Sequence, residues 1–235
     1  MAEAHVALGK IGFFTIDLAG ALVEYQRAIK LKPNYATAHQ WLGNDVFISF
    51  GRIEEAIAEG KRAVELDPLS PIINADLGVT FYLARRYDDA IKQLQKTLEL
   101  DPDFFYAHYN LGVALQLKGD LPGAIREFEK SRRLSDDSFT VALLGAAKAH
   151  AGDRDAAQEA LKDLEQRRDV DTYSLAILHL SLGNKEEALR ALERTVEAHD
   201  GIIVCWIKVD PLLDALRGQP RFEALVQKVI VPKTP

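Results

Sequence analysis

A Leu-Gly pair returns along this chain at Leu8-Gly9, Leu42-Gly43, Leu77-Gly78, Leu111-Gly112 and Leu144-Gly145, with Leu175-Ala176 in the sixth place. An alanine keeps step behind it, at Ala21, Ala56, Ala90, Ala124, Ala157 and Ala188, and prolines follow at Pro33, Pro68 and Pro102. Unrelated motifs do not hold register through six turns of about 34 residues. The chain is therefore an array of one structural unit, and each unit buries its apolar stripe on its neighbours.

The stretch from Pro71 to Pro102 defines that unit. Ser70 caps a first helix and Pro71 suits its opening position, where no backbone donor is needed. Ile73, Leu77 and Phe81 recur every four residues as one apolar stripe. Arg85-Arg86-Tyr87 interrupts the pattern, and Asp88 and Asp89 complement the positive end of a second helix. Ala90, Ile91, Leu94 and Leu98 give that helix its own apolar face, and Asp101-Pro102 ends it. Gly78 and Ala90 let the two helices approach closely.

Composition sets limits rather than details. With 48% hydrophobic and 27% charged residues in 235, the chain is an ordinary folded protein. A net charge of -6 without a basic stripe argues against nucleic acid as a partner. Cys205 is alone, so an intramolecular disulfide or a cysteine-rich zinc site is impossible. No apolar run reaches the roughly 18 residues of a membrane span, and MAEAHVALGK lacks the layout of a secretory signal. No membrane insertion is expected.

The Leu-Gly pair, Gly119-Asp120, Ala124, Phe128 and the closing prolines together resemble the tetratricopeptide repeat (TPR) family. The resemblance covers roughly residues 2–199, in units of about 2–35, 36–69, 70–104, 105–137, 138–168 and 169–199. It implies an all-α, right-handed superhelical solenoid of about six helix-turn-helix hairpins, with first helices lining a concave groove. The second unit has one extra residue between Gly43 and Ala56, expected around Phe50-Gly51. The tail, 200–235, reads as a cap: Ile202 to Ile207 as an apolar helix on the sixth unit, and Pro220 to Val229 over the last face. Lys208 to Leu225 resembles the segment that closes such arrays in bacterial winged-helix, cyclase and kinase fusions. Val6, Leu8 and Ile11 have no unit before them, so the chain is expected to be the C-terminal part of a longer protein.

Catalytic constellations are absent from the sequence, and neither an enzyme nor a cofactor is expected. His5, His39 and His108 share one register, a repeat apart, which suits packing and not one metal ion. His150, His179 and His199 lack an H-E-x-x-H context, and Cys205 beside Trp206 reads as an apolar core residue. No phosphate-binding glycine loop is present. Paired acids such as Glu54-Glu55, Asp88-Asp89 and Glu186-Glu187 open second helices.

The functional signal is a second stripe on the first helices. It comprises Ile72, Ala75, Val79, Tyr82 and Leu83 in the third unit, and Tyr106, Tyr109, Val113, Gln116 and Leu117 in the fourth. The second unit offers Thr37, Gln40, Asn44, Phe47 and Ile48; the first offers Val6, Lys10, Phe13 and Phe14. A helix apolar on two faces is buried on two faces. Two readings stay open: these residues thicken the contact between adjacent first helices, or they line an aromatic trough for a peptide. Within the family, chaperone-tail binders use a carboxylate clamp. Asn44 matches one clamp asparagine, but Gln40, Ala75 and Tyr109 replace its lysines, so no such clamp is expected. In the register of an asparagine ladder only Asn110 fits, beside Trp41 and Asp76. The expected role is a protein- or peptide-binding scaffold or sensor arm of a larger bacterial protein; the alternative is a homodimerisation device. A cytoplasmic location is expected, or a periplasmic one for an arm of a membrane-anchored fusion.

Overall fold

The computed structural model describes residues 1–168, 170–198 and 206–230, and among them every regular element is helical. Six hairpins follow one another. The first pairs α1 (Ala2–Phe14) with α2 (Leu18–Leu31). In the second, α3 runs through Ala36–Trp41, Leu42–Phe47 and Ile48–Phe50 and pairs with α4 (Ile53–Leu66). The third and fourth are α5 (Pro71–Leu83) with α6 (Tyr87–Leu100), and α7 (Phe105–Lys118) with α8 (Leu121–Leu134). The last two are α9 (Ser138–His150) with α10 (Arg154–Gln166), and α11 (Thr172–Ser181) with α12 (Lys185–Ala198). A 3₁₀ turn, Pro211–Leu216, and α13 (Pro220–Ile230) end the described chain. The hairpins stack as the right-handed solenoid that the repeat implies.

Each half of the Leu-Gly pair has its own task. A Cβ on Gly9 would come within 2.5 Å of the Tyr25 ring, and one on Gly112 within 2.5 Å of the Phe128 ring. Glycine therefore admits a large residue from the second helix of the same hairpin. The leucine faces backwards: Leu77 lies against Gly60 of α4, in the hairpin before. Leu42, Leu77, Leu111 and Leu144 are 3%, 4%, 5% and 5% exposed, whereas Leu8, in the first hairpin, is 52% exposed.

The histidines of the shared register are structural struts. His39 bonds Glu59 of its own hairpin through Nδ1 (2.5 Å) and the Pro33 carbonyl of the preceding one through Nε2 (2.9 Å). His108 repeats the arrangement with Glu127 (2.7 Å) and the Pro102 carbonyl (2.9 Å). In the third hairpin an amide does the same work. Asn74 Nδ2 donates to the Pro68 carbonyl at 3.0 Å, and its Oδ1 accepts from Gln93 at 2.8 Å. The carbonyl can only accept, so His39 Nε2 must donate, and the Glu59 hydrogen bond at the other nitrogen raises the ring's pKa.

Two expectations are corrected. The extra residue of the second unit is not taken up at Phe50-Gly51, where Gly51 keeps an ordinary left-handed turn (φ 73°). It widens α3 instead, as π-helix over Leu42–Phe47, since a π turn absorbs one inserted residue and leaves the helix end unchanged. The tail also divides. α13 packs on α12, burying Phe222, Leu225, Val226 and Val229, with Arg221 bonded to Glu193 and Glu186. Of the helix expected over Ile202 to Ile207, residues 202–205 lie outside the described residues, as do His199 and Cys205. Trp206 is held at the second hairpin, not the sixth.

Adding one methyl group tests the hairpin packing. A Cβ at position 78 would stand 2.6 Å from Leu94 Cγ, so Gly78→Ala is expected to destabilise the fold by about 1–3 kcal/mol, read by urea denaturation.

Candidate functional site on the inner face

The first helices build the inner face, and a row of aromatic rings runs along it from the fourth hairpin to the sixth. Tyr106 and Tyr109 meet edge to face at 5.1 Å, Tyr109 meets Phe139 at 5.5 Å, and Phe139 meets Tyr173 at 5.8 Å. The last two contacts join neighbouring hairpins, and Tyr106, Tyr109 and Phe139 stay half-buried.

Beneath the rings lies a polar floor. Asp76 is buried and accepts from Gln40 Nε2 (2.7 Å) and from the Tyr106 hydroxyl (2.9 Å). Burial pushes its carboxyl up to about 6, against the pull of those two hydrogen bonds, with the nearby Asp45 charge pushing the same way. Asp45 accepts from Tyr25 (2.8 Å) and Lys10 (3.0 and 3.1 Å), and burial raises its pKa as well. The Lys10 ammonium sits among the rings of Phe13, Phe14 and Trp41 at 5.1, 5.4 and 4.6 Å. Phe13 and Phe14, read as groove residues, are thus engaged by a cation of their own helix.

The tail crosses this face. The Trp206 indole donates to the Asn44 carbonyl at 3.0 Å, inside the π-helical turn. There Ile48 N–H reaches back to the Gly43 carbonyl and the Ser49 hydroxyl bonds the Asp45 carbonyl. The inserted residue thus disturbs the helical ladder where the indole finds its acceptor. Lys208 Nζ donates to the Phe50 carbonyl at 3.1 Å. Asp210, buried, accepts from the Tyr173 hydroxyl. Asp214 takes a two-pronged bond from Arg85, 2.6 and 2.8 Å, in the turn after α5. Residues 206–217 form a strap tied to the second, third and sixth hairpins.

Most of the expected groove residues are closed off by this arrangement. Phe13, Gln40, Asn44, Phe47, Val79, Tyr82, Leu83 and Val113 are buried; Tyr106, Tyr109 and Gln116 are half-buried. Phe14 and Ile72 are exposed, at 54% and 43%. A cavity of about 440 Å³ lies open between the fourth, fifth and sixth first helices and the strap. Leu117, Ile177, Leu180 and Leu212 line it, with Gln116, His150 and Ser181 as polar side chains. Gln116 Oε1 is buried and meets no hydrogen-bond partner among the described residues. Desolvation lowers the His150 pKa from its ordinary value. Sequence reading named Gln116 but missed Arg85, Asp210 and Asp214. Arg85 alone carried a signal, since it stands where Gly51, Gly119, Gly152 and Gly183 supply positive φ in other hairpins.

Comparison with known proteins agrees with this architecture. A family model described as TPR repeat matches residues 17–44 and 86–119, and one described as tetratricopeptide repeat matches residues 172–194. A search of curated protein sequences returns no match. Among solved structures the chain is similar to Pseudomonas aeruginosa pilF, at 20% identity and TM-score 0.64 over 88% of this chain and 95% of that one. It is also similar to a thermophilic TPR protein of Thermus thermophilus, at 18% identity and TM-score 0.59 over 91% and 99%. YrrB, described as a TPR protein with an unusual peptide-binding site, aligns at 20% identity and TM-score 0.51 over 82% and 92%. At these identities the likeness carries the fold: a solenoid of stacked helical hairpins like that of tetratricopeptide-repeat proteins, with the repeat itself matched at residues 17–44, 86–119 and 172–194.

The buried acid gives the floor a pH signature. The folded-state pKa of Asp76 lies above the unfolded value, so the charged form disfavours folding and stability falls as pH rises from about 4 through 6. Relative to Asp76→Asn, the natural chain is expected to lose about 2 kcal/mol of unfolding free energy between pH 4 and pH 7, measured by denaturant titration at each pH.

Proposed function

We propose that this chain is a non-catalytic protein-interaction module that receives a polypeptide segment on its inner face, as the scaffold or sensor arm of a larger bacterial regulator. One observation carries the reading: that face already accommodates polypeptide, the strap of residues 206–217, through backbone carbonyls, tyrosine hydroxyls and an arginine. The remaining cavity beside it offers an apolar socket and an unsatisfied acceptor, Gln116 Oε1, which suits a side chain with an apolar body and one donor. The peptide-binding site named for YrrB supports the reading by analogy of fold. The buried carboxylates argue for a binding role. Asp45, Asp76 and Asp210 are each bonded to a tyrosine hydroxyl inside the protein, and the geometry aims none of them at an open reaction site.

A second reading has its own observation. Leu8, Ile11 and Phe14 of the first hairpin are exposed where later hairpins are covered, and this apolar end favours self-association. Light scattering over a dilution series separates the two: a monomer at every concentration removes the second reading.

Panning a random peptide library against the immobilised chain tests the first. Selected peptides are expected to lose about tenfold or more in affinity on Tyr109→Glu and on Gln116→Arg, with far-ultraviolet circular dichroism unchanged. Glu99→Arg, on a second helix, is expected to leave binding intact. Peptides insensitive to both inner-face changes would overturn the proposal; loss of helicity in Tyr109→Glu would assign the ring to packing.

A further inference from the structure

The strap is bound like a ligand, and its anchors have a regular spacing. Trp206, Asp210 and Asp214 stand four residues apart. Each meets a different kind of receptor: a carbonyl in the π-helical turn, the Tyr173 hydroxyl, and the Arg85 guanidinium. Pro211 and Leu213, between the two acids, and Leu216, just after the second, are buried.

Arg85 bears a conformational cost. Its φ of 61° lies in the left-handed region, at a turn position where four other hairpins have glycine and the first has Ile16, at φ 59° and packed against the core. A side chain with Cβ is disfavoured there, and such a residue persists when its side chain has work that glycine cannot do. Here that work is the bidentate bond to Asp214. The pair is nearly half exposed, 46% and 43%, so water and salt weaken it and the bond opens readily. Trp206 and Asp210 are buried and give the strap its grip.

We infer that the strap is a displaceable internal ligand, and that the inner face receives a partner segment carrying the same signature: an indole, then carboxylates four and eight residues later. This rests on the interaction-module reading and names the partner for it. The physical reason is satisfaction of buried groups. A competitor that removes the strap leaves the Asn44 carbonyl, the Tyr173 hydroxyl and the Arg85 guanidinium without partners unless it supplies an N–H donor and two acceptors at matching spacing. The occluded face therefore selects for a partner resembling what it already holds.

The test uses the full chain and a labelled synthetic peptide, WIKVDPLLDALR, identical to residues 206–217. Trp206→Ala with Asp214→Ala weakens the strap and leaves its receptors intact. The peptide is expected to bind this variant at least about tenfold more tightly than the natural chain. Adding Arg85→Gly, which removes the guanidinium and suits the left-handed turn, is expected to lower that affinity. Should the strap variant fold poorly, hydrogen exchange on the natural chain replaces it: saturating peptide is expected to speed exchange of the chain's own 206–217 amides and leave α5 protected. Equal binding to natural and strap-weakened chains, or no binding with helicity retained, would overturn the inference. Dimers of the strap-weakened chain would assign the face to a second copy and overturn it too. If panned peptides respond to Tyr109→Glu while the strap peptide fails to bind, the module reading stands and only this inference falls.

Discussion

The leucine of each Leu-Gly pair has no cover within its own hairpin. It takes cover from the hairpin before it, as Leu77 does against Gly60, and in the first hairpin Leu8 stands half in water. Every other feature of the array follows from this borrowing of surface. Helices must be near-equal in length, the turns must return the chain at a fixed angle, and the separation between hairpins must be held to within a side chain's thickness. The His39 and His108 struts, with Asn74 in the same register, fix that separation. Each ties its own second helix to the carbonyl that ends the hairpin before.

The inner face is a by-product of the same packing. First helices crowd together there, so rings such as Tyr106, Tyr109 and Phe139 serve the wall and the floor at once. Crowding also strands carboxylates. Asp45 and Asp76 are kept by hydroxyls and by one lysine, and burial keeps their proton affinity high. A face so furnished with polar groups cannot lie against bare apolar surface without loss. The strap meets other polar groups of that face, the Asn44 and Phe50 carbonyls and the Tyr173 hydroxyl, with donors and an acceptor of its own.

Repetition made the hairpins legible in the sequence, because the Leu-Gly register, the caps and the turn glycines are local signals repeated often enough to confirm one another. The extra residue of the second unit was visible as a count but not as a place. A helix can take it up at any turn, and the choice of Leu42–Phe47 depends on packing that no single window contains. The aromatic stripe was legible as residues and not as a role. Phe13 and Phe14 enclose Lys10, and only the meeting of α1 with Trp41 makes that so. The strap was least legible of all, since Trp206 meets Asn44 across 162 positions and Asp214 meets Arg85 across 129. Nothing in either stretch names the other.

A stack held only by adjacent contacts behaves as an elastic coil: it frays from its free ends, and its pitch drifts under load because no spacer fixes the first turn relative to the last. The strap joins the second and third hairpins to the sixth and turns that open coil into a braced ring. With the brace in place the curvature is set and melting draws distant hairpins into one event; with it released the array recovers the compliance of a spring. One twelve-residue span thereby links the second, third and sixth hairpins into one mechanical unit.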